Sequence, residues 1–480
     1  MINLLLLFPI IACILLFIFK KNCLNSIMIN TYAVLHLLIS VTACFGIDLL
    51  PFWRSYPLFV INNNNIIFLL ILSVVFLAVA IYNSGYIKTE QESSRKIRHY
   101  SYMILLFVMS MSGAILSMNL GLTWVFIEGT TLASAYLIYF HKTKHSVEAA
   151  WKYVFICSIG IALAFVGIIL LSIATGSVNS LYYSDLISNA KTFNPFWLKL
   201  SYVFILFGIG TKMGLAPVHF WLPDAHSEAP SPISALLSAT LLNSAFLMIL
   251  NIFNIMVTAN CDSYARLMML TMGFLSLFVS AVFIYHINNY KRMLAYSSIE
   301  NMGILIIAIA LGGTATLAAF IHLIGHSIYK AIFFLTSGNV LKLYSTKKIK
   351  SVSGLLKTDK KTGWLWLLSL IGITAIPPSV LFISEFMIIR EFLTQNKIAL
   401  CIIFILLLTI ILYGISKAVL KMCYSEISEE KTAEIKNNLM QMNWKFYVPQ
   451  FVLLILITYL TIFLSNDIAN FLLRTFTTLS

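Results

Sequence analysis

The sequence predicts an all-α polytopic membrane protein of about fourteen transmembrane helices, with two inverted five-helix repeats whose fourth members, helices 7 and 12, are broken. Three observations carry this. First, 60% of the 480 residues are hydrophobic and only 10% are charged, against about 45–50% and 25% in soluble domains. A water-soluble enzyme is thereby excluded. A disordered or fibrous chain is excluded too, because the 21 glycines and 11 prolines are few and no low-complexity tract occurs. Second, the apolar residues run on for roughly 20 positions at a time, the length an α-helix needs to cross a bilayer, and do not alternate as barrel strands do. Third, the basic residues fall on alternate loops.

In order, the runs are 2–19, 27–50, 66–86, 100–118, 120–140, 147–174, 200–220, 231–258, 264–286, 293–311, 314–341, 363–395, 398–423 and 446–474. The first has no basic stretch ahead of it and no small-residue cleavage site behind it, so it reads as a membrane helix and not as a signal peptide. With each loop numbered by the helix it follows, odd loops hold about 22 Lys and Arg and even loops about 5. The positive-inside rule puts odd loops in the cytoplasm. This predicts a multi-pass membrane protein with both termini on the outer side. The formal charge of +14 is then loop bias, and no nucleic-acid partner is expected. The 7 cysteines show no C-x-x-C spacing. An iron–sulfur cluster needs four close thiolates, so no cofactor is expected in this chain.

The seventh run is interrupted by Gly214–Pro223 and the twelfth by Thr374–Ser379. Proline removes a backbone hydrogen bond and clashes with the preceding turn, so both helices should break. Pro217 follows Tyr100 by 117 residues and Pro377 follows Tyr264 by 113. Each break thus falls in the fourth helix of a five-helix unit, and units of odd helix number enter the membrane from opposite sides. In transporters built this way the broken helices mark the ion site; the competing reading is two unrelated proline kinks. The resulting division is an N-terminal three-helix segment (1–99), unit 1 (100–258), unit 2 (259–423), and a C-terminal loop with helix 14 (424–480).

A charge at mid-bilayer costs about 2.5–3.5 kcal/mol or more, so ionisable residues inside the runs need partners, water or a function. Lys212 precedes the first break, and Glu128 is the carboxylate deep in the fifth run. A desolvated lysine loses proton affinity and a nearby carboxylate restores it, which suits a proton carrier; the competing reading is a static buried ion pair. Glu148 and Lys152 are four apart on one helix face, as an interfacial pair or as modulators of Glu128. His322, His326 and Lys330 recur at spacings of four and form a stripe of about 12 Å, which reads as a hydrated relay and not as a metal site. Glu385 follows the second break and could release protons on the outer side. His219, Asp224, His226 and Glu228 crowd the seventh loop, as a proton-uptake mouth or as helix caps. Glu300 lies near a span edge.

The run K-M-G-L-A-P-V-H-F-W-L-P-D-A-H-S-E-A-P-S-P-I-S-A-L-L-S, with K-R-M-L-A-Y-S-S at 291–298, H-S-I-Y-K-A at 326–331 and S-E-F at 384–386, resembles the antiporter-like membrane subunits of respiratory complex I, membrane-bound [NiFe] hydrogenases and multi-subunit cation/proton antiporters. The likeness covers nearly the whole chain. W-K-Y at 151–153 and P-P-S-V-L-F-I-S-E-F are most similar to the hydrogenase 4 type. The resemblance implies proton transfer along a mid-membrane polar axis through Glu128, Lys212, His322, His326, Lys330 and Glu385. It implies other membrane subunits and soluble redox subunits as partners, which would hold the [NiFe] and iron–sulfur centres, with H⁺ or Na⁺ as the ion. Expected functions are a proton-translocating subunit of a hydrogenase 4/formate hydrogenlyase-like or complex I-like complex, a cation/proton antiporter subunit, or the membrane energiser of an inorganic-carbon uptake system. The sequence departs from several relatives in helix 8, where Ser238 and Asn243 stand in place of titratable residues. The chain ends soon after helix 14, without the long lateral helix of the largest members.

Overall fold

A bilayer offers no hydrogen-bond partners, so each crossing segment must satisfy its own backbone. The computed structural model describes residues 2–45, 58–90, 92–176, 178, 180–427 and 429–463, and helices dominate them. The first half comprises α1 (Ile2–Phe19), α2 (Asn22–Cys44), α3 (Asn63–Thr89), α4 (Ser94–Leu116), α5 (Leu120–Ile138), α6 (Lys144–Thr175), α7 (Tyr183–Asn189), α8 (Pro195–Met213), α9 (Trp221–Glu228), α10 (Ser231–Leu236) and α11 (Leu242–Thr258). The second comprises α12 (Asp262–His286), α13 (Tyr290–Leu311), α14 (Thr314–Tyr344), α15 (Leu355–Thr358), α16 (Lys360–Ile373), α17 (Val380–Thr394), α18 (Ile398–Tyr424), α19 (Glu429–Met440) and α20 (Val448–Ile462).

The polar residues between apolar runs start the helices. Side chains of Asn62, Ser93, Asn119, Thr143, Asn194 and Asn289 accept from the first-turn amides of α3, α4, α5, α6, α8 and α13. Those amides have no partner within their own helix. Twelve helices among the described residues are long and apolar enough to cross a membrane. The two remaining expected spans are α1, which is shorter, and the twelfth, which is divided into α16 and α17. Residues 46–50 of the second expected span and 464–474 of the last lie outside the described residues.

Both interruptions are present. The seventh span stops at Met213, seven residues before the expected end, and Gly214 terminates it at φ +79°, a left-handed conformation that glycine takes without strain. The twelfth stops at Ile373 and resumes at Val380, where the Ser379 hydroxyl donates to the Gly372 carbonyl (2.9 Å) and accepts from the Leu381 amide (3.0 Å). Helix α6 packs backbone to backbone on α8: a Cβ added at Gly208 would lie 2.5 Å from the Ala164 nitrogen and 2.5 Å from the Gly160 oxygen. Small residues permit this approach, which drives helix association in lipid.

Three sequence expectations need correction. The eighth span is not one regular α-helix: residues 237–241 form a π-helical turn between α10 and α11. Lys291, counted among loop charges, is buried, with its ammonium donating to the Ala229 carbonyl at 2.9 Å. Glu300 is not at a span edge: it lies ten residues into α13 and is buried. Both errors arise because α13 begins at Tyr290, three residues before its apolar run does.

Candidate functional site

The buried helices α11, α13 and α14 carry polar side chains inward, and α5, α6, α8 and α17 add theirs from either side. On α8, Lys212 is fully buried. Its ammonium donates to the Tyr153 hydroxyl of α6 at 2.9 Å, and that hydroxyl shares a 2.6 Å hydrogen bond with Ser134 of α5. Trp221 of α9 stacks obliquely on Tyr153, centroids 4.8 Å apart, and donates its indole N–H to the Thr211 carbonyl (2.7 Å). The expected Glu128–Lys212 ion pair is not formed among the described residues. Half-buried Glu128 instead accepts from Thr131 at 3.0 Å. The Lys212 ammonium thus rests on a neutral phenol, with the carboxylate held by its own helix.

Tyr153 was missed in the sequence, although W-K-Y drew attention. Lys152 turns outward, half exposed, and pairs with Glu148 (2.6 Å) and Asp224 (3.3 Å). One residue along a helix is a rotation of about 100°, so neighbours in sequence face different surroundings. The stripe of Tyr153, Cys157, Gly160, Ala164 and Gly167 was the available signal, since its spacing of three and four marks the packed face of α6.

The second cluster is built on α13. Leu294, Ser298 and Asn301 share one face by their spacing of four and three. The Leu294 carbonyl has a second lone pair and accepts from the Lys330 ammonium (2.8 Å) and from the Ser298 hydroxyl (3.2 Å). Ser298 also bonds Ser238 of the π-helical turn at 2.8 Å. Asn301 bonds His322 Nε2 (3.1 Å), and His322 Nδ1 bonds Ser384 of α17 (3.0 Å). Asn243 of α11 donates to Ser327 of α14 (2.8 Å). A π turn in an α-helix often marks a functional position, and here it presents Ser238 to the Lys330 network.

Four buried groups in this region have no hydrogen-bond partner among the described residues: both ring nitrogens of His326, Oδ1 of Asn243, Oγ of Ser297 and Oε2 of Glu300. Buried polar atoms are normally satisfied by protein or water. Glu300 was not among the site residues expected from sequence. Glu385 was, but it is only partly buried, and its neighbour Ser384 makes the contact with His322. No hydrogen bond joins the Lys212 cluster to the Lys330 cluster among the described residues.

The seventh-loop residues divide by burial. His219 and His226 are buried, their ring nitrogens without hydrogen-bond partners among the described residues, and His226 is stacked on Phe334 at 4.8 Å. Asp224 and Glu228 instead tie α9 to basic residues of three other elements. Asp224 meets Lys152 and Arg292, and Glu228 accepts from Lys347 at 3.0 Å. Burial disfavours the Glu228 carboxylate, but Lys347, with Ser227 and Lys291, outweighs it and holds the carboxyl below its usual range. A group depressed on folding binds fewer protons folded than unfolded, so its stabilisation is present above the ordinary carboxylate range and is lost as pH falls through the lowered folded value. Hydrogen exchange in 221–232 is therefore expected to quicken as pH falls below about 4, after correction for intrinsic rates, and to do so less in Glu228→Gln. An identical pH response in that variant would refute the assignment.

Residues 117–411 match the family described as NADH:quinone oxidoreductase/Mrp antiporter, transmembrane. The chain is 35% identical over 412 residues to the Hydrogenase-4 component F homolog of Methylacidiphilum infernorum (isolate V4), covering 82% of this chain and 84% of that protein. It is 24% identical over 433 residues to a Na(+)/H(+) antiporter subunit of Bacillus subtilis (strain 168), covering 88% and 87%. Its fold superposes on a chain of the membrane-bound sulfane sulfur reductase, an archaeal respiratory membrane complex, with a TM-score of 0.88 at 22% identity, covering 100% of this chain and 97% of the other. The chain belongs to the NADH:quinone oxidoreductase/Mrp antiporter family of transmembrane subunits, as an antiporter-like membrane subunit.

Proposed function

We propose that this chain translocates protons as a membrane subunit of a redox-driven complex of the hydrogenase 4 or complex I-like kind, in a bacterial inner membrane. The observation that carries the reading is Lys212, a fully buried amine that donates to a phenol and not to a carboxylate, beside a broken helix. Whether that amine keeps its proton depends on how near Glu128 comes, and the two titrate as a coupled pair. Approach of Glu128 favours the ammonium. Withdrawal favours passing the proton on. Tyr153 and Ser134 supply neutral hydroxyls through which it can hop, and Lys330, His326 and Asn301–His322 follow one another along α14 towards Ser384 and its neighbour Glu385 on α17. The redox centres are assigned to soluble partner subunits.

The likeness to an antiporter subunit over most of the chain favours a second reading, cation/proton exchange without redox chemistry. The complex reconstituted in vesicles separates them. Proton uptake that requires an electron donor supports the first, and Na⁺-driven proton movement without a donor supports the second and overturns the first. Glu300→Gln keeps the shape of the side chain and removes its proton. It is expected to slow redox-driven uptake at least about tenfold, the lower end of what a positioned acid or base contributes, with assembly unchanged. Wild-type uptake in that variant would remove Glu300 from the path.

A further inference from the structure

Away from the polar axis, α2, α3 and α4 and the turn before α20 enclose a cavity of about 560 Å³, with Cys23, Ser26, Ile27, Lys88, Glu90 and Lys445 in its wall. It lies where two helices begin (α2, α4), one ends (α3) and the chain turns into α20, so it sits at the edge of the membrane-crossing bundle. Exposed Trp444 beside it fits that level, since tryptophan is enriched at membrane–water interfaces. Two ammoniums line it. Lys445 donates to Ser84 at 2.9 Å. Lys88 is exposed and has no ion-pair or hydrogen-bond partner among the described residues. The one carboxylate in the wall, Glu90, leaves the pocket net basic against the two lysines.

A second feature continues from this cavity. The exposed residues of α2 are Cys23, Ile27, Thr31, Val34, Leu38 and Val41, one stripe at spacings of four and three. It begins in the cavity wall and runs about 27 Å at 1.5 Å per residue, close to the roughly 30 Å thickness of a bilayer's hydrocarbon core. A net-basic pocket at headgroup level thus opens onto an apolar track that crosses the bilayer, and the half of it nearest the pocket, about 15 Å, is the depth of one leaflet's acyl chains. We propose that this cavity binds the phosphate headgroup of an anionic phospholipid whose acyl chains lie along the α2 stripe. Lys88 and Lys445 hold the phosphodiester as point charges, and Ser26 offers a hydroxyl. Basic pockets between membrane helices hold lipid headgroups in this way. The proposal is independent of proton transfer, since none of these residues belongs to the polar axis.

The test is native mass spectrometry of the full-length protein in detergent, with phosphatidylglycerol and phosphatidylethanolamine of matched acyl chains as probes. Phosphatidylglycerol is expected to stay bound at concentrations where phosphatidylethanolamine does not. Lys88→Gln combined with Lys445→Gln should weaken its retention about thirtyfold, as expected for the loss of two near-surface charges. Cys23→Trp fills the rim without touching either lysine and should have the same effect. Lys348→Gln with Lys350→Gln, exposed basic residues elsewhere in the chain, should leave retention unchanged. Equal retention of the two lipids overturns the proposal, as does undiminished retention in both cavity variants. Displacement of phosphatidylglycerol by inorganic phosphate would reassign the cavity to a soluble anion and also overturns it.

Discussion

Lys212→Ala is expected to abolish redox-driven proton translocation, by at least about 100-fold, with the complex still assembled. The alanine leaves the Tyr153–Ser134 hydrogen bond in place and removes the one buried amine on α8. Lys212→Arg should fail as well, because a guanidinium cannot be deprotonated in a protein. That pair separates titration from packing, since arginine restores bulk and charge but not proton release. Tyr153→Phe, which removes only the hydroxyl, should lower the rate about tenfold. Lys152→Ala should change it less than about twofold, because exposed ion pairs contribute little. The energetics are compatible: moving one charge against 100 mV takes about 2.3 kcal/mol, and two pKa units on a coupled lysine supply about that much at 1.36 kcal/mol each. Proton uptake into vesicles, normalised to subunit content, measures all four variants. Normal uptake by an assembled Lys212→Ala complex would sink the mechanism.

Gly208→Val should have the largest effect on the fold. An added Cβ meets backbone atoms, the Ala164 nitrogen and Gly160 oxygen, each at 2.5 Å, so no flexible side chain can move aside. The helices must separate, and overpacking of this kind costs about 1–3 kcal/mol or more. Lipid supplies no hydrophobic force to close the gap again. Because Tyr153 is on α6 and Lys212 on α8, separation also breaks their 2.9 Å contact. Gly210→Ala is the control: its Cβ would lie 3.2 Å from Met272 Cε, the free end of a flexible side chain. The expected result is a clear fall in Tm and in monodisperse yield for Gly208→Val, with little change for Gly210→Ala. Equal stability of the two variants would show that the backbone contact is not what holds α6 to α8.

Much of this protein was legible in the sequence by itself. Uninterrupted apolar runs dictated membrane helices, because only an internally hydrogen-bonded segment of that length survives in a bilayer. Prolines and Gly214 dictated the two interruptions. Buried ionisable residues on those helices, Lys212, His322, His326 and Lys330, stood out because charge and hydrocarbon are so poorly matched.

Which groups meet was decided only by the tertiary structure. Neighbours on a helix are separated by about 100° of rotation, so Tyr153 reaches Lys212 while Lys152 faces Asp224, and Ser384 reaches His322 while Glu385 makes no hydrogen bond among the described residues. The Glu128–Lys212 pair, natural by charge, is replaced by two contacts with neutral hydroxyls, because side-chain reach and helix register set contact where charge alone does not. Lys291 and Glu300 were misplaced because hydropathy locates the apolar stretch of a helix, whereas its first turn is set by the Asn289 cap. Composition and periodicity determined that there would be buried protonatable groups inside the membrane helices, one of them at a break; helix rotation and backbone approach determined their partners.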